Sequence, residues 1–530
     1  MRYNALNCTD FYKIGHIFQF PDKTQLVYSN LTPRSDSYAR VLPDFDHKVV
    51  NFGLQGVIQS LLIELWNDSF FNQPKDLVVA KYKRRMDRAL GENSIPVDHI
   101  AALHDLGYLP VRIKALPEGA RVNIRVPLYT IVNTDPNFAW VTNYLESQLS
   151  AEFWQVITTA TTAFEFRRLL DKAAKDTGCD PNFAAWQGHD FSFRGMADIW
   201  SASKSGAAHL ISFAGTDTIS AIDYLEDYYP DPTDPFIGGS VPATEHAVMT
   251  LSIQNEVDKI NKQLQQRSAS DKFVSKLYPN FTATADEIQG EAEYLVIKHL
   301  ITEVYPNGIV SIVSDSFDFW RVITLIAPAL EEEIMARNGK VVFRPDSGDP
   351  VKILVGDPDA VPGSAEFYGA VECLWNTFGG TLTNKQYRVL DEHVGMIYGD
   401  SISLDRAKRI VDGFKNKMFA SCNTVLGIGS YTYQYETRDT YGTAIKATAG
   451  IVDGEFRQIY KDPKTDNGTK KSARGLLRVE FENDNYVLYD SQTWEQEGQG
   501  ELTTVFENGK LINPVTLSQV RNRLLSELNK

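Results

Sequence analysis

Only four cysteines occur in the chain, Cys8, Cys179, Cys373 and Cys422, and no two stand in CxxC spacing. That excludes a zinc ribbon or a disulfide framework and predicts free thiols in a reducing compartment. No apolar run approaches the roughly 20 residues needed to cross a bilayer, and the opening MRYNALNCTDFYKIGH lacks a signal-peptide core, so a cytoplasmic protein is expected. Positive charge is in deficit: Lys+Arg of 53 against Asp+Glu of 68 leaves −15. Such a field repels nucleic acid and membrane at long range, and neither is expected as a partner. An anionic substrate would need a local cluster of cations to overcome it. Short-period repeats and low-complexity segments are absent as well.

Apolar surface, by contrast, is plentiful. A hydrophobic fraction of 43%, with 28 Phe, 24 Tyr and 8 Trp in 530 residues, is enough for a large core. One local habit recurs between residues 151 and 450: a short apolar run stops abruptly in a polar cluster. It is seen at 207–213 before Gly215-Thr216-Asp217-Thr218, at 308–313 before Ser314-Asp315-Ser316, and at 341–343 before Arg344-Pro345-Asp346-Ser347-Gly348-Asp349. It returns at 394–398 before Gly399-Asp400-Ser401 and at 418–425 before Gly427-Ile428-Gly429-Ser430. Each reads as a parallel strand followed by a βα loop, so the prediction is an α/β fold with its chemistry at the carboxyl ends of the strands. Residues 1–150 read as a smaller α+β segment, 451–530 as β-rich, and 254–290 as a polar surface insertion.

Several of these clusters admit two readings. In Gly239-Ser240-Val241-Pro242-Ala243-Thr244-Glu245-His246, Pro242 suits a first helical position, which puts His246 about one turn in, as either a structural histidine or a neutral nucleophile. Asp315 is the residue placed to orient its ring. His189-Asp190-Phe191-Ser192-Phe193-Arg194-Gly195 is either a packed aromatic loop or a stacking platform for a flat ring with Arg194 beside it. Asp217 either caps a helix or accepts a hydrogen bond from a neutral amide. The 344–349 loop is either a salt-bridged turn or a polyol or metal-phosphate site, with Asp400 a second such carboxylate. Gly429 and Ser430 allow backbone N–H groups to approach a phosphate. Arg438, Lys446, Lys461, Lys470, Lys471 and Arg474 gather downstream as the local cations a polyanion requires.

Taken in order, TDFYK at 9–13, HDFSFRG, GTDT, GSVPATEH, SIVSDSFD, FRPDSGDP, YGDSIS, TRD at 437–439 and YKDP at 460–463 resemble the nicotinamide phosphoribosyltransferases of the type II phosphoribosyltransferase family. The resemblance implies an irregular (β/α) barrel, with a smaller domain built from the N- and C-terminal segments, and a homodimer whose subunits share active sites. It implies transfer of phosphoribose from 5-phosphoribosyl 1-pyrophosphate to nicotinamide, coupled to ATP hydrolysis through a phosphohistidine at His246. Phe191 and the partner's Tyr12 would sandwich the pyridine ring, with Arg194, Asp217, Ser240, Val241, Ser311 and Arg344 around it. Asp346, Gly399 and Asp400 would take ribose hydroxyls, and Gly429 with Ser430 the 5′-phosphate. Arg34, Arg438, Lys446, Lys461 and Lys470 or Lys471 would face the other phosphates. Mg²⁺ would be held mainly by substrate phosphates and water, with no metal centre built from side chains. In place of that family's run of glycines the phosphate loop reads Gly427-Ile428-Gly429-Ser430-Tyr431. The alternatives are a nicotinate-using enzyme on the same barrel and a catalytically silent dimeric scaffold that binds nucleotide.

Overall fold

A computed structural model describes residues 3–270, 284–399, 401–460 and 473–529. Two sheets of opposite character organise it. One is parallel and six-stranded, in the order Gly215–Thr216, Gly188–Asp190, Thr424–Ile428, Val394–Tyr398, Val341–Arg344 and Val310–Val313. Its two edges are joined by residues 239–243, which bridge Gly215 through Gly239 and Ser311 through Ala243, both in parallel sense. The sheet is thereby closed into an irregular barrel. Val394–Tyr398 and Val310–Val313 are buried at every position, as expected of strands covered on both faces.

The other sheet is antiparallel and seven-stranded, running Glu455–Gln458, Ala444–Val452, Thr24–Thr32, Tyr129–Asn133, Val111–Ala115, Thr503–Glu507 and Lys510–Leu511. Strands from both ends of the chain meet in it. Val111–Ala115 alternates buried and half-buried positions, the mark of one covered face.

The helix Val141–Thr177 ties the two sheets together. At 37 residues it extends roughly 55 Å. Its first half gives Leu145, Leu149, Phe153 and Ile157 to the core beneath the antiparallel sheet, and its second half gives Ala163, Phe166 and Leu170 to the core around the barrel. These steps of three or four residues are the spacing of one helix face.

Three local expectations are corrected. The run 207–213 is no strand: Ala207 to Leu210 close the helix Ile199–Leu210, and the strand is only Gly215–Thr216. The run of small residues in that helix packs under Thr218 and Ala221, which a strand-forming pattern does not distinguish. Pro242 does not start a helix. It lies in the extended segment that closes the barrel, where its carbonyl accepts from Ser311 N–H, and the helix begins at His246 itself. The strand placed at 418–425 is Thr424–Ile428, entered through a short turn at Ser421–Asn423. Residues 254–270 continue the His246–Ser270 helix, and Ala285–His299 lies beside it, with Ile253, Ala292 and Ile297 in the barrel core.

Candidate active site

Parallel strands aim all their carboxyl ends at one rim, and this is what assembles the site from segments more than 200 residues apart. Phe191, Asp217, Ser314-Asp315, Arg344, Gly399 and Gly429 each follow or end a barrel strand. A cavity of about 430 Å³ opens there, walled by Phe191, Asp217, Ser240, Val241, Ser311 and Arg344. It continues between the strands to their opposite ends, at Lys340 and Asn423.

One wall of the cavity is built around His189 and Asp217. His189 Nε2 lies 2.8 Å from Asp217 Oδ1, and Ser240 Oγ donates to the same oxygen at 2.6 Å. Burial pushes the Asp217 carboxyl up, but the His189 and Ser240 hydrogen bonds and the Arg344 charge outweigh it and hold the group below the usual aspartate range. Phe191 packs against the His189 ring at 4.7 Å between centroids. Its N–H donates to Ile428 O, and Gly427 must lack a side chain because a Cβ there would stand 2.5 Å from the Phe191 ring. Ser311 is buried in the same wall, and among the described residues its Oγ has no hydrogen-bond partner.

A second constellation sits at the start of the His246–Ser270 helix. His246 Nε2 is 3.0 Å from Asp315 Oδ1, while Asp315 Oδ2 accepts from Asp346 N–H at 2.9 Å and Ser347 Oγ at 2.6 Å. Burial raises the Asp315 carboxyl, but these donors prevail and keep it below its ordinary value. An ionised carboxylate can only accept, so Nε2 of His246 donates to Asp315. Arg344 bridges the two constellations: Nη2 donates to Thr244 O at 2.9 Å and Nε faces Asp346 Oδ1 at 3.4 Å. Gly399 closes on Asp346, where a Cβ would stand 2.0 Å from Oδ1.

Gly429 and Ser430 turn into a short helix beside Gly195, and among the described residues no atom lies within 4 Å of where a Cβ on Gly429 would be. Tyr431 is half exposed and stacks on Tyr435 at 5.7 Å. Arg34, Arg438 and Lys446 form a separate group with Lys13. Lys446 is held below the usual lysine range by partial desolvation and by the charges of Arg34, Lys13 and Arg438, against the opposing pull of Glu146. Arg194 is exposed on the Phe193–Gly195 turn and is not part of the cavity wall. Tyr12 is exposed on the short helix Phe11–Ile14, with Lys13 Nζ 5.1 Å from its ring. Asp400, Lys461, Lys470 and Lys471 lie outside the described residues. His189, Ser347 and Thr244 were not singled out by the motifs.

A closed parallel barrel whose rim gathers carboxylates, an arginine and an open glycine turn defines a phosphoribosyl-transferring class, and the match of residues 186–510 to the family model "Nicotinate phosphoribosyltransferase (NAPRTase) family" agrees: the chain belongs to that family. Within it, the chain is 52% identical to the nicotinamide phosphoribosyltransferase of Acinetobacter baylyi over 99% of this chain and 98% of that one. It is 31% identical to that of Xanthomonas campestris pv. campestris, over 98% and 97%. In fold it is similar to the crystal structure of nicotinate-nucleotide pyrophosphorylase from Pyrococcus furiosus, with a TM-score of 0.54 and 15% identity over 99% of this chain and 95% of that one. Human nicotinic acid phosphoribosyltransferase gives 0.51 and 14% over 98% and 93%.

Proposed function

We propose that the protein makes nicotinamide mononucleotide and pyrophosphate from nicotinamide and 5-phosphoribosyl 1-pyrophosphate, a step of NAD biosynthesis and salvage. The choice of amide over acid rests on one observation, the ionised Asp217 in the wall of the ring pocket. A carboxylate accepts from an amide N–H and repels a second carboxylate. The near full-length likeness to nicotinamide-using relatives agrees with it.

In the reaction the pyridine nitrogen attacks C1 of the sugar as the C1–O bond to pyrophosphate breaks, and the electron pair leaves with pyrophosphate. Oxocarbenium character develops, and no proton need move, so positioning and charge stabilisation carry the rate. Phe191 and the partner's Tyr12 hold the ring flat. The exposure of Tyr12 fits a role across a dimer interface. Asp346, Gly399 and Asp400 take the ribose, and Gly429 with Ser430 take its phosphate. Arg34, Arg438, Lys446, Lys461, Lys470 and Lys471 face the remaining phosphates.

Mg²⁺ supplies charge neutralisation on the leaving polyanion. Asp315 is already engaged by His246, Ser347 and a backbone N–H, and Asp346 by Arg344. This donor set fits a metal held mainly by substrate phosphates and water. ATP couples through His246: Nδ1 attacks the γ-phosphorus, the bond to the β-bridging oxygen breaks, and ADP leaves. Water later cleaves the N–P bond. The test is an assay of purified protein with 5-phosphoribosyl 1-pyrophosphate and Mg²⁺, with and without ATP, on nicotinamide beside nicotinate. Nicotinamide turnover raised by ATP is expected; turnover of nicotinate alone would reassign the substrate, and no product from either would leave only a nucleotide-binding scaffold.

A further inference from the structure

The proposed contact between Asp217 and the amide gives no task to the histidine that holds Asp217, and the geometry supplies one. We propose that His189 is the specificity-determining positioning residue of the ring pocket, fixing the Asp217 carboxylate so that one oxygen is spent on the protein and the other is kept for the ligand. This rests on the nicotinamide reading above.

Both side-chain donors to Asp217 fall on Oδ1, His189 Nε2 at 2.8 Å and Ser240 Oγ at 2.6 Å. Among the described residues no hydrogen bond reaches Oδ2, although this carboxylate lines the cavity. Because Asp217 is ionised, it accepts and His189 Nε2 donates. The carboxylate oxygen left facing the cavity then accepts from an amide N–H and opposes a second carboxylate.

The ring has little freedom to do otherwise. Its strand is hydrogen-bonded on both sides, to Thr424–Ile428 and to Gly215–Thr216. Phe191 packs on the imidazole at 4.7 Å. A Cβ on Gly215 would stand 2.6 Å from His189 Nδ1, so the glycine is what admits the ring in this pose. His209 on the buried side and Arg344 toward the cavity are the other charged or titratable groups acting on the pair, and Asp190 acts in turn on His209. None of these three donates a hydrogen bond to the Asp217 carboxylate. Without His189, one donor remains, and the soft χ2 torsion of aspartate no longer reserves Oδ2 for the ligand.

The experiment compares kcat and KM for nicotinamide and nicotinate in full-length wild type, His189→Phe and His189→Gln. Phe keeps a flat ring against Phe191 without a donor, and Gln restores a neutral N–H. His189→Phe is expected to raise KM for nicotinamide about tenfold, with kcat within about threefold, and to lower the preference for nicotinamide over nicotinate about tenfold. His189→Gln is expected to recover most of both. Gly215→Ala, which displaces the ring without removing it, should reproduce the KM shift and serves if His189→Phe does not fold. Unaltered selectivity in His189→Phe and Gly215→Ala would overturn the proposal, and so would a loss confined to kcat that Gln does not relieve. Wild-type protein inert toward nicotinamide would instead sink the substrate assignment itself, before any variant is compared.

Discussion

The barrel rim carries two His–Asp pairs, and they are wired in opposite senses. In His189–Asp217 the histidine side chain is buried, at 10% exposure, and the aspartate is open, at 42%. In His246–Asp315 the histidine is open, at 48%, and the aspartate is sealed, at 4%. The hydrogen bond is nearly the same, 2.8 Å against 3.0 Å. What differs is which partner faces the cavity or solvent and which is held by the fold. A buried histidine presents a carboxylate, suited to reading an amide; a buried carboxylate presents an imidazole nitrogen, suited to nucleophilic attack. The same interaction thus leaves a carboxylate facing outward in one pair and an imidazole in the other, decided by burial.

Breaking the exposed member of each pair should give the largest and most divergent effects. His246→Ala is expected to remove the whole ATP-dependent increase in synthesis while leaving a measurable ATP-independent rate, read by initial rates with and without ATP; an unaltered ATP response would refute the phosphohistidine. Asp217→Ser should lower kcat/KM for nicotinamide on the order of tenfold to a hundredfold and relax selection against nicotinate, measured by competition between the two pyridines. Equal kinetics on both, before and after, would detach Asp217 from the choice.

Breaking the buried aspartate sharpens the contrast. Asp315→Asn removes the charge that orients His246, and ATP stimulation should fall about tenfold while the preference between pyridines stays put. Should both change together, the two pairs are not independent. The smallest effect is on stability. The Asp315 carboxyl is held below its ordinary value, so its contribution is present in full above the unfolded aspartate pKa of about 3.9 and is lost as pH falls through the lower folded value. Thermal melts should therefore show a gap of about a degree between wild type and Asp315→Asn at pH 6 that narrows below about pH 4. A gap independent of pH would mean that the charge is not its source.

Much of the barrel was legible because its parallel strands read as short, largely apolar runs that end in polar residues. Val310–Val313, Val341–Arg344 and Val394–Tyr398 declare themselves in this way. The two-residue strand Gly215–Thr216 and the closing segment 239–243 do not, since neither is long enough to show a period. His246 and Asp315 stood out as types able to do chemistry, whereas His189 hid in an aromatic string because nothing local says that its ring meets Asp217, 28 positions further on.

The order of residue types along the chain was enough to determine the class of fold, the rim on which chemistry collects and the candidates for it, because strand burial and loop polarity are local properties. Tertiary structure alone decided how those candidates pair and which member of each pair faces outward. Closure of the barrel by 239–243 sets Ser240 on Asp217, and the 344–349 loop seals Asp315 beneath His246. Such contacts depend on distances across the ring of strands, which no stretch of neighbouring residues encodes.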